Sequence, residues 1–258
     1  MPIVFAAVVP HSPLLVPTIA KGHARLLTQT SNQLESLGAE LYARQPEVVV
    51  FLTPHGPTIT GQVVAHVAER YQGDLKAFGD LTTHLDAPAA PQFTHLLQRL
   101  ADNHQLPLRL QTDPSLDYGT TVPGVRLLAH LSAVAILPIT VAGLSTDQLI
   151  RLARVISDAS TTSQQRLALI ATADLSRRSI SPASTLSPRP TALERQLSTA
   201  LTEVDPATVP VTEPADCCGW APIFVLVQVL HGLADHGRVE SFEAPLGVGL
   251  LTASFTLT

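Results

Sequence analysis

Aromatic residues make up only 4% of this 258-residue sequence, charged residues 14%, and there are two cysteines. Each shortage excludes something. With few aromatics, the core must be built mostly from Leu, Val, Ala and Ile. The net charge is −5 and there is no long basic run. Broad nucleic-acid binding, which needs a concentrated positive footprint, is therefore not expected. The longest apolar stretches, such as 133–144 and 221–227, are too short to span a bilayer, so no membrane association is expected. The first residues lack the basic segment of a signal peptide and read instead as a core strand. The two cysteines, Cys217 and Cys218, are neighbours. A disulfide between them would close a small, strained ring, so a structural crosslink is not expected. A cytoplasmic, reducing location suits such sparse cysteines.

What the chain does have is apolar residues, at 45% of the total, grouped in short runs. Ile3 to Val9, Val48 to Leu52, Val134 to Val141 and Arg166 to Thr172 read as buried strands, although Pro138 is an odd member of one. Gly61 to Val67, 107–111, 238–243 and 248–257 read as further strands. Helical periodicity marks 23–43, 91–102, 123–131, Thr146 to Asp158, 191–203 and 222–234. Residues 69–90 are less regular, and 176–190, rich in Ser, Pro and Arg, read as a surface loop. This alternation predicts one α/β domain over 1–258, with a central mostly parallel or mixed sheet flanked by helices on both faces.

Two histidines stand in matching contexts. His11 lies in Pro10-His11-Ser12-Pro13 and His55 in Thr53-Pro54-His55-Gly56, each just past a strand-like run. The carboxyl edge of an open α/β sheet is where ligands collect, and imidazole is the commonest side-chain metal ligand. A third ligand is sought in the polar run Asp216-Cys217-Cys218-Gly219, ahead of an apolar helix. Two histidines and a carboxylate make the facial set of non-haem Fe(II) oxygenases, whereas a thiolate would also suit zinc or copper. Both Asp216 and Cys218 remain open on this reading.

These segments together resemble the class III extradiol ring-cleavage dioxygenases, the LigB-like superfamily, which includes Memo-like members. The resemblance runs from end to end. Pro10-His11-Ser12-Pro13 and Thr53-Pro54-His55-Gly56 are similar to the family's two histidine motifs. Asp117-Tyr118-Gly119 resembles its Asp-His-Gly segment, and Ala173-Asp174-Leu175-Ser176-Arg177 its Asp-Leu-Ser-His motif. Cys218-Gly219-Trp220-Ala221-Pro222 resembles the stretch holding the third ligand, and Gly247 to Phe255 the final strand. No single motif is specific; six in order are. The resemblance implies a metal held by His11, His55 and Cys218, with Asp216 as the alternative. It implies Fe(II) as the ion, with Zn or Cu as substitutes, and a small aromatic or anionic substrate.

The sequence departs from the pattern twice, with Tyr118 and Arg177 standing where the family's two catalytic histidines belong. A phenol, with a reference pKa of about 10, is a poor base at neutral pH but donates hydrogen bonds. A guanidinium stays charged and clamps carboxylate or phosphate. Two expectations follow: an extradiol-type oxidoreductase with an altered acid–base pair, or a Memo-like metal-binding or redox-regulatory protein without ring cleavage. A zinc hydrolase ranks below both, since no general base is evident. His66, His95 and His130 read as ordinary core or surface residues, and His84 as a surface one. Asp117 and Asp174 read as turn-capping or supporting groups. A sheet edge or helix face is open to pairing with a second subunit.

Overall fold

The computed structural model describes residues 3–131, 133–177, 189–214, 216–244 and 247–258, and only the backbone of Arg177. Along the chain run strands β1 (Ile3–Val9), β2 (Val48–Thr53), β3 (Val63–His66), β4 (Arg70–Leu75), β5 (Asp80–Pro88) and β6 (Leu108–Gln111). They continue with β7 (Ala135–Thr140), β8 (Leu167–Thr172), β9 (Asp174–Arg177), β10 (Ala234–Glu243) and β11 (Val248–Leu257). The helices are α1 (Pro17–Ala20), α2 (Thr28–Arg44), α3 (Pro91–Asn103), α4 (Tyr118–Leu127), α5 (Thr146–Thr162), α6 (Ala192–Glu203) and α7 (Trp220–Leu230).

The main sheet has the order β10-β11-β1-β8-β2-β7-β3-β6, with β9 paired to β11 off this path. Its centre, β1-β8-β2-β7, is parallel, while β11 joins β1 and β3 joins β7 antiparallel. The sheet is therefore mixed. The apolar runs behave as strands covered on both faces should. Alternate residues part to opposite sides: Val48, Val50 and Leu52 enter one core and Val49 and Phe51 the other. The first core packs under α3, α5, α6 and α7, and the second under α2, α4 and the β4–β5 pair. The expected α/β architecture, with helices on both faces, is what the chain forms.

Several boundaries differ from the sequence reading for local reasons. The helix expected at 123–131 begins at Tyr118, because the Asp117 side chain caps it by accepting the Thr120 N–H at 3.2 Å. Residues 69–90, read as irregular, contain the β4–β5 hairpin. In β4 the inward positions are Tyr71, Gly73 and Leu75, so a glycine hides the alternation. Only glycine fits at 73, since a Cβ there would collide with the Thr121 side chain on α4. Pro138 sits inside β7, yet the β3 ladder pairs only Ile139 and Thr140. That leaves one flank of β7 unpaired by β3 at Pro138, and a residue without an N–H is tolerated at such a break. Of the surface loop expected at 176–190, residues 178–188 lie outside the described residues, and Asp174–Arg177 form β9.

Candidate metal centre

Strands β1 and β2 lie on either side of β8 and run the same way, with Val9 level with Thr172 and Leu52 with Ala171. Their carboxyl ends are thus two strand spacings apart, roughly 10 Å. His11 leaves the end of β1 and His55 the end of β2, and both turn inward across the end of β8. Their Nε2 atoms stand 3.0 Å apart, with the rings edge to face at 89°.

Each histidine is held by its backbone. The His11 N–H donates to Asp174 Oδ1 at 3.0 Å, and Asp174 Oδ2 lies 3.8 Å from His11 Nε2. Asp174 begins β9, directly after β8, so the middle strand orients the first histidine. The His55 N–H donates to Thr53 Oγ1 at 3.2 Å, and Thr53 Oγ1 in turn donates to Asp117 Oδ1 at 2.7 Å. Asp117 therefore ties the end of β2 to the start of α4. Two glycines make this close approach feasible. A Cβ at Gly119 would lie 2.7 Å from both the Asp117 carboxylate and the Thr53 hydroxyl, and 3.3 Å from the His55 ring. A Cβ at Gly56 would collide with Thr140.

Cys218 arrives from the opposite side, in the turn that precedes α7. Its Sγ is 3.6 Å from His11 Nε2 and 3.5 Å from the Asp174 carbonyl oxygen. The Gly219 N–H donates to that same carbonyl at 3.0 Å, and a Cβ at Gly219 would lie 2.5 Å from the Ala173 Cβ. The two cysteines differ in surroundings. Cys217 is buried, and burial, followed by the neighbouring Cys218, pushes its thiol up to about 12. Cys218 is half-buried and faces the histidines.

His11, His55 and Cys218 thus place three donor atoms within 4.8 Å of one another, and this cluster can hold a metal ion. The His11–His55 and His11–Cys218 separations, 3.0 and 3.6 Å, suit a shared ion. With ion–nitrogen distances of about 2.0–2.1 Å and ion–sulfur distances of about 2.3 Å, neighbouring donors stand about 3–3.7 Å apart. Asp216 is exposed and is not among the three gathered groups. Tyr118, the first residue of α4, stacks on His55 with ring centroids 4.5 Å apart and planes at 23°. Its hydroxyl shares a 2.9 Å hydrogen bond with His55 Nε2. The backbone of Arg177 pairs with Val248, three residues beyond Asp174, and its side chain lies outside the described residues, as does Arg178.

The sequence reading did not single out Phe78, whose ring meets Tyr118 edge-on at 5.3 Å. No periodicity marks it, because it sits in the short turn between β4 and β5. It also missed the role of Thr53, which was legible only as part of a motif. His66 is buried at the end of β3, while His84, His95 and His130 are exposed. A cavity of about 440 Å³ lies at the hairpin, lined by Gln72, Asp74, Lys76, His84, Asp86 and Ser115 among others. None of the three donors lines it, and its carboxylates are already engaged, Asp74 with Lys76 and Asp86 with Arg70, each at 2.8 Å. Among the described residues, no helix is long and apolar enough to cross a membrane.

Other proteins share this chain's fold and parts of its sequence. A Clostridium acetobutylicum protein is 23% identical over 258 residues, covering 93% of this chain and 54% of its own length. The chain thus spans about half of that curated relative. The crystal structure of an uncharacterised Escherichia coli protein superposes with a TM-score of 0.69 over 97% of this chain and 99% of the other. At 13% identity it shares the fold. Residues 5–208 match the family described as the catalytic LigB subunit of aromatic ring-opening dioxygenase. That match spans most of the sheet and both histidine turns, and the chain belongs to this LigB family.

Proposed function

We propose that this chain is a non-haem metal protein of the ring-opening dioxygenase type, oxidising a small aromatic or anionic molecule beside an ion held by His11, His55 and Cys218. The observation that carries the reading is the convergence of those three donor atoms at the carboxyl edge of the parallel strands. Fe(II) is the ion assigned, with Zn and Cu as competitors that the thiolate also suits. When bound, such an ion supplies Lewis acidity and, if iron, a path for electrons between an aromatic diol and dioxygen. The chain's own residues do the rest. Asp174 fixes His11, and Thr53 with Asp117 fixes His55. Tyr118, whose hydroxyl lies 2.9 Å from His55 Nε2, is assigned as a hydrogen-bond donor to an oxygen of the bound molecule. Arg177, on the strand that leaves Asp174, is assigned to an anionic group of that molecule. A cytosolic setting would keep Cys218 reduced.

A second reading is a Memo-like metal-binding or redox-regulatory protein without ring cleavage. Cys218 favours it, because thiolates are oxidised in the presence of iron and dioxygen. Anaerobic loading with Fe(II), metal analysis and a catechol panel screened for yellow ring-opened products separate the two. The first reading expects about one ion per chain, turnover, and loss of both in His11→Ala and His55→Ala. Tight metal without turnover across the panel supports the second. Metal content indifferent to both histidines overturns the site itself.

A further inference from the structure

We infer that Phe78 is a specificity-determining residue of this site, forming the outer wall against which a planar aromatic ring lies when it occupies the metal centre. The inference rests on the metal-centre reading above and adds the residue that selects for a ring. Among the described residues only five large apolar side chains are exposed, and Phe78, at 40%, is the sole phenylalanine of the five. Leu81, three residues on, is another, at 78%. In a chain so poor in aromatics, Phe78 is joined by ring contacts to a proposed metal ligand. Its ring meets Tyr118 at 5.3 Å and 68°, and Tyr118 stacks on His55 at 4.5 Å. The three rings form a continuous path from donor cluster to solvent. Edge-to-face and offset contacts at these separations are those a further ring would make on entering.

Phe78 is exposed, but the turn that carries it is tied down. It ends a short 3-10 turn, Lys76–Phe78, closed by Gly79 at φ +81°, in the left-handed region that glycine favours. The next residue, Asp80, is a buried carboxylate. One of its oxygens accepts from the Thr82 N–H at 2.9 Å, the Thr82 hydroxyl at 2.8 Å and the Thr83 N–H at 3.1 Å. The other accepts from the Thr18 hydroxyl on α1. Thr18 lies in the segment that leaves His11, so the hairpin tip is pinned to the chain that carries the first donor. A recognition side chain held this way has little freedom left to lose on binding.

The test uses two anaerobic probes of the Fe(II)-loaded protein. One is 4-nitrocatechol, whose absorption reports binding; the other is acetohydroxamate, which offers two oxygen donors and no ring. Metal content is measured first. Wild-type protein that takes up no Fe(II), or a His11→Ala variant that retains it, marks a failure of the metal-centre reading. With metal bound, Phe78→Ala should weaken nitrocatechol binding about tenfold and leave acetohydroxamate and metal content unchanged. Phe78→Tyr, which keeps the ring, should hold nitrocatechol within about twofold of wild type. Equal loss of both probes in Phe78→Ala, unchanged nitrocatechol affinity, or no nitrocatechol binding by metal-loaded wild type would each overturn the assignment.

Discussion

The parallel centre of the sheet and the β4–β5 hairpin present their side chains in different ways. In the centre, the residues of β2 and β8 are buried on both faces, and the useful side chains appear only where the strands end. In the hairpin, alternate residues of β4 face inward and the tip turns apolar side chains out to solvent. Of the three donors, His11 is buried, while His55 and Cys218 are half-buried in turns beyond the regular elements. The hairpin, attached through one face, carries a surface that tolerates change. On the proposed function, the contrast separates metal binding, which depends on rigidity, from substrate selection, which an appended element can tune.

The sharpest way to break that contrast is to remove one side chain from each region. Phe51, in the middle of β2, is fully buried. Phe51→Ala should cost about 3–5 kcal/mol, read from urea denaturation. Leu81→Ala, at the exposed tip, should stay within about 0.5 kcal/mol of wild type. Comparable losses in both would show that the hairpin tip is as much a part of the core as the centre is.

A smaller effect sharpens where the two regions meet. Gly119 follows Tyr118 in the first turn of α4, with no room for a Cβ between Asp117, Thr53 and the His55 ring. Gly119→Ala should displace the Asp117–Thr53 tie and weaken metal affinity by about 10- to 100-fold, the usual cost of disturbing groups that orient a ligand. Competition with a chelator measures it. Unchanged affinity would mean that the tie is not what holds His55.

How far all this was legible follows the same division. The centre could be read from the sequence because parallel strands covered on both sides demand unbroken apolar runs, and Val48 to Leu52 is such a run. His11 and His55 could be read because a turn leaving a strand end needs proline or glycine beside the functional residue. Cys218 could be placed only through resemblance, since its neighbour Cys217 has the same chemistry and differs in burial and in what it faces, neither of which the sequence displays. The hairpin was illegible for a physical reason. Gly73 stands at an inward position, where its lack of a side chain serves packing against Thr121 and erases the alternation. Phe78 looked like any loop residue, because its meaning lies in a contact with Tyr118 across 40 positions of chain.

The smallest effect is expected from the polar anchor on the hairpin's inner face. Tyr71 is fully buried, and its hydroxyl donates to the His66 carbonyl at 2.7 Å. Burial pushes its phenol from 10.0 up to about 12. The folded protein therefore keeps this phenol neutral over a range in which the unfolded chain ionises it. The corresponding stability is fully present below about pH 10 and is lost as pH rises toward about 12. Tyr71→Phe removes both the hydrogen bond and the titration. At neutral pH the variant should be less stable by about 1 kcal/mol, the worth of a typical internal hydrogen bond. As pH rises above 10, wild type should lose stability faster than the variant, so that the gap between their urea midpoints closes. A gap that stays constant through this range would show that the Tyr71 hydroxyl reaches solvent in the folded state, and that the hairpin is held to the centre more loosely than its inward face implies.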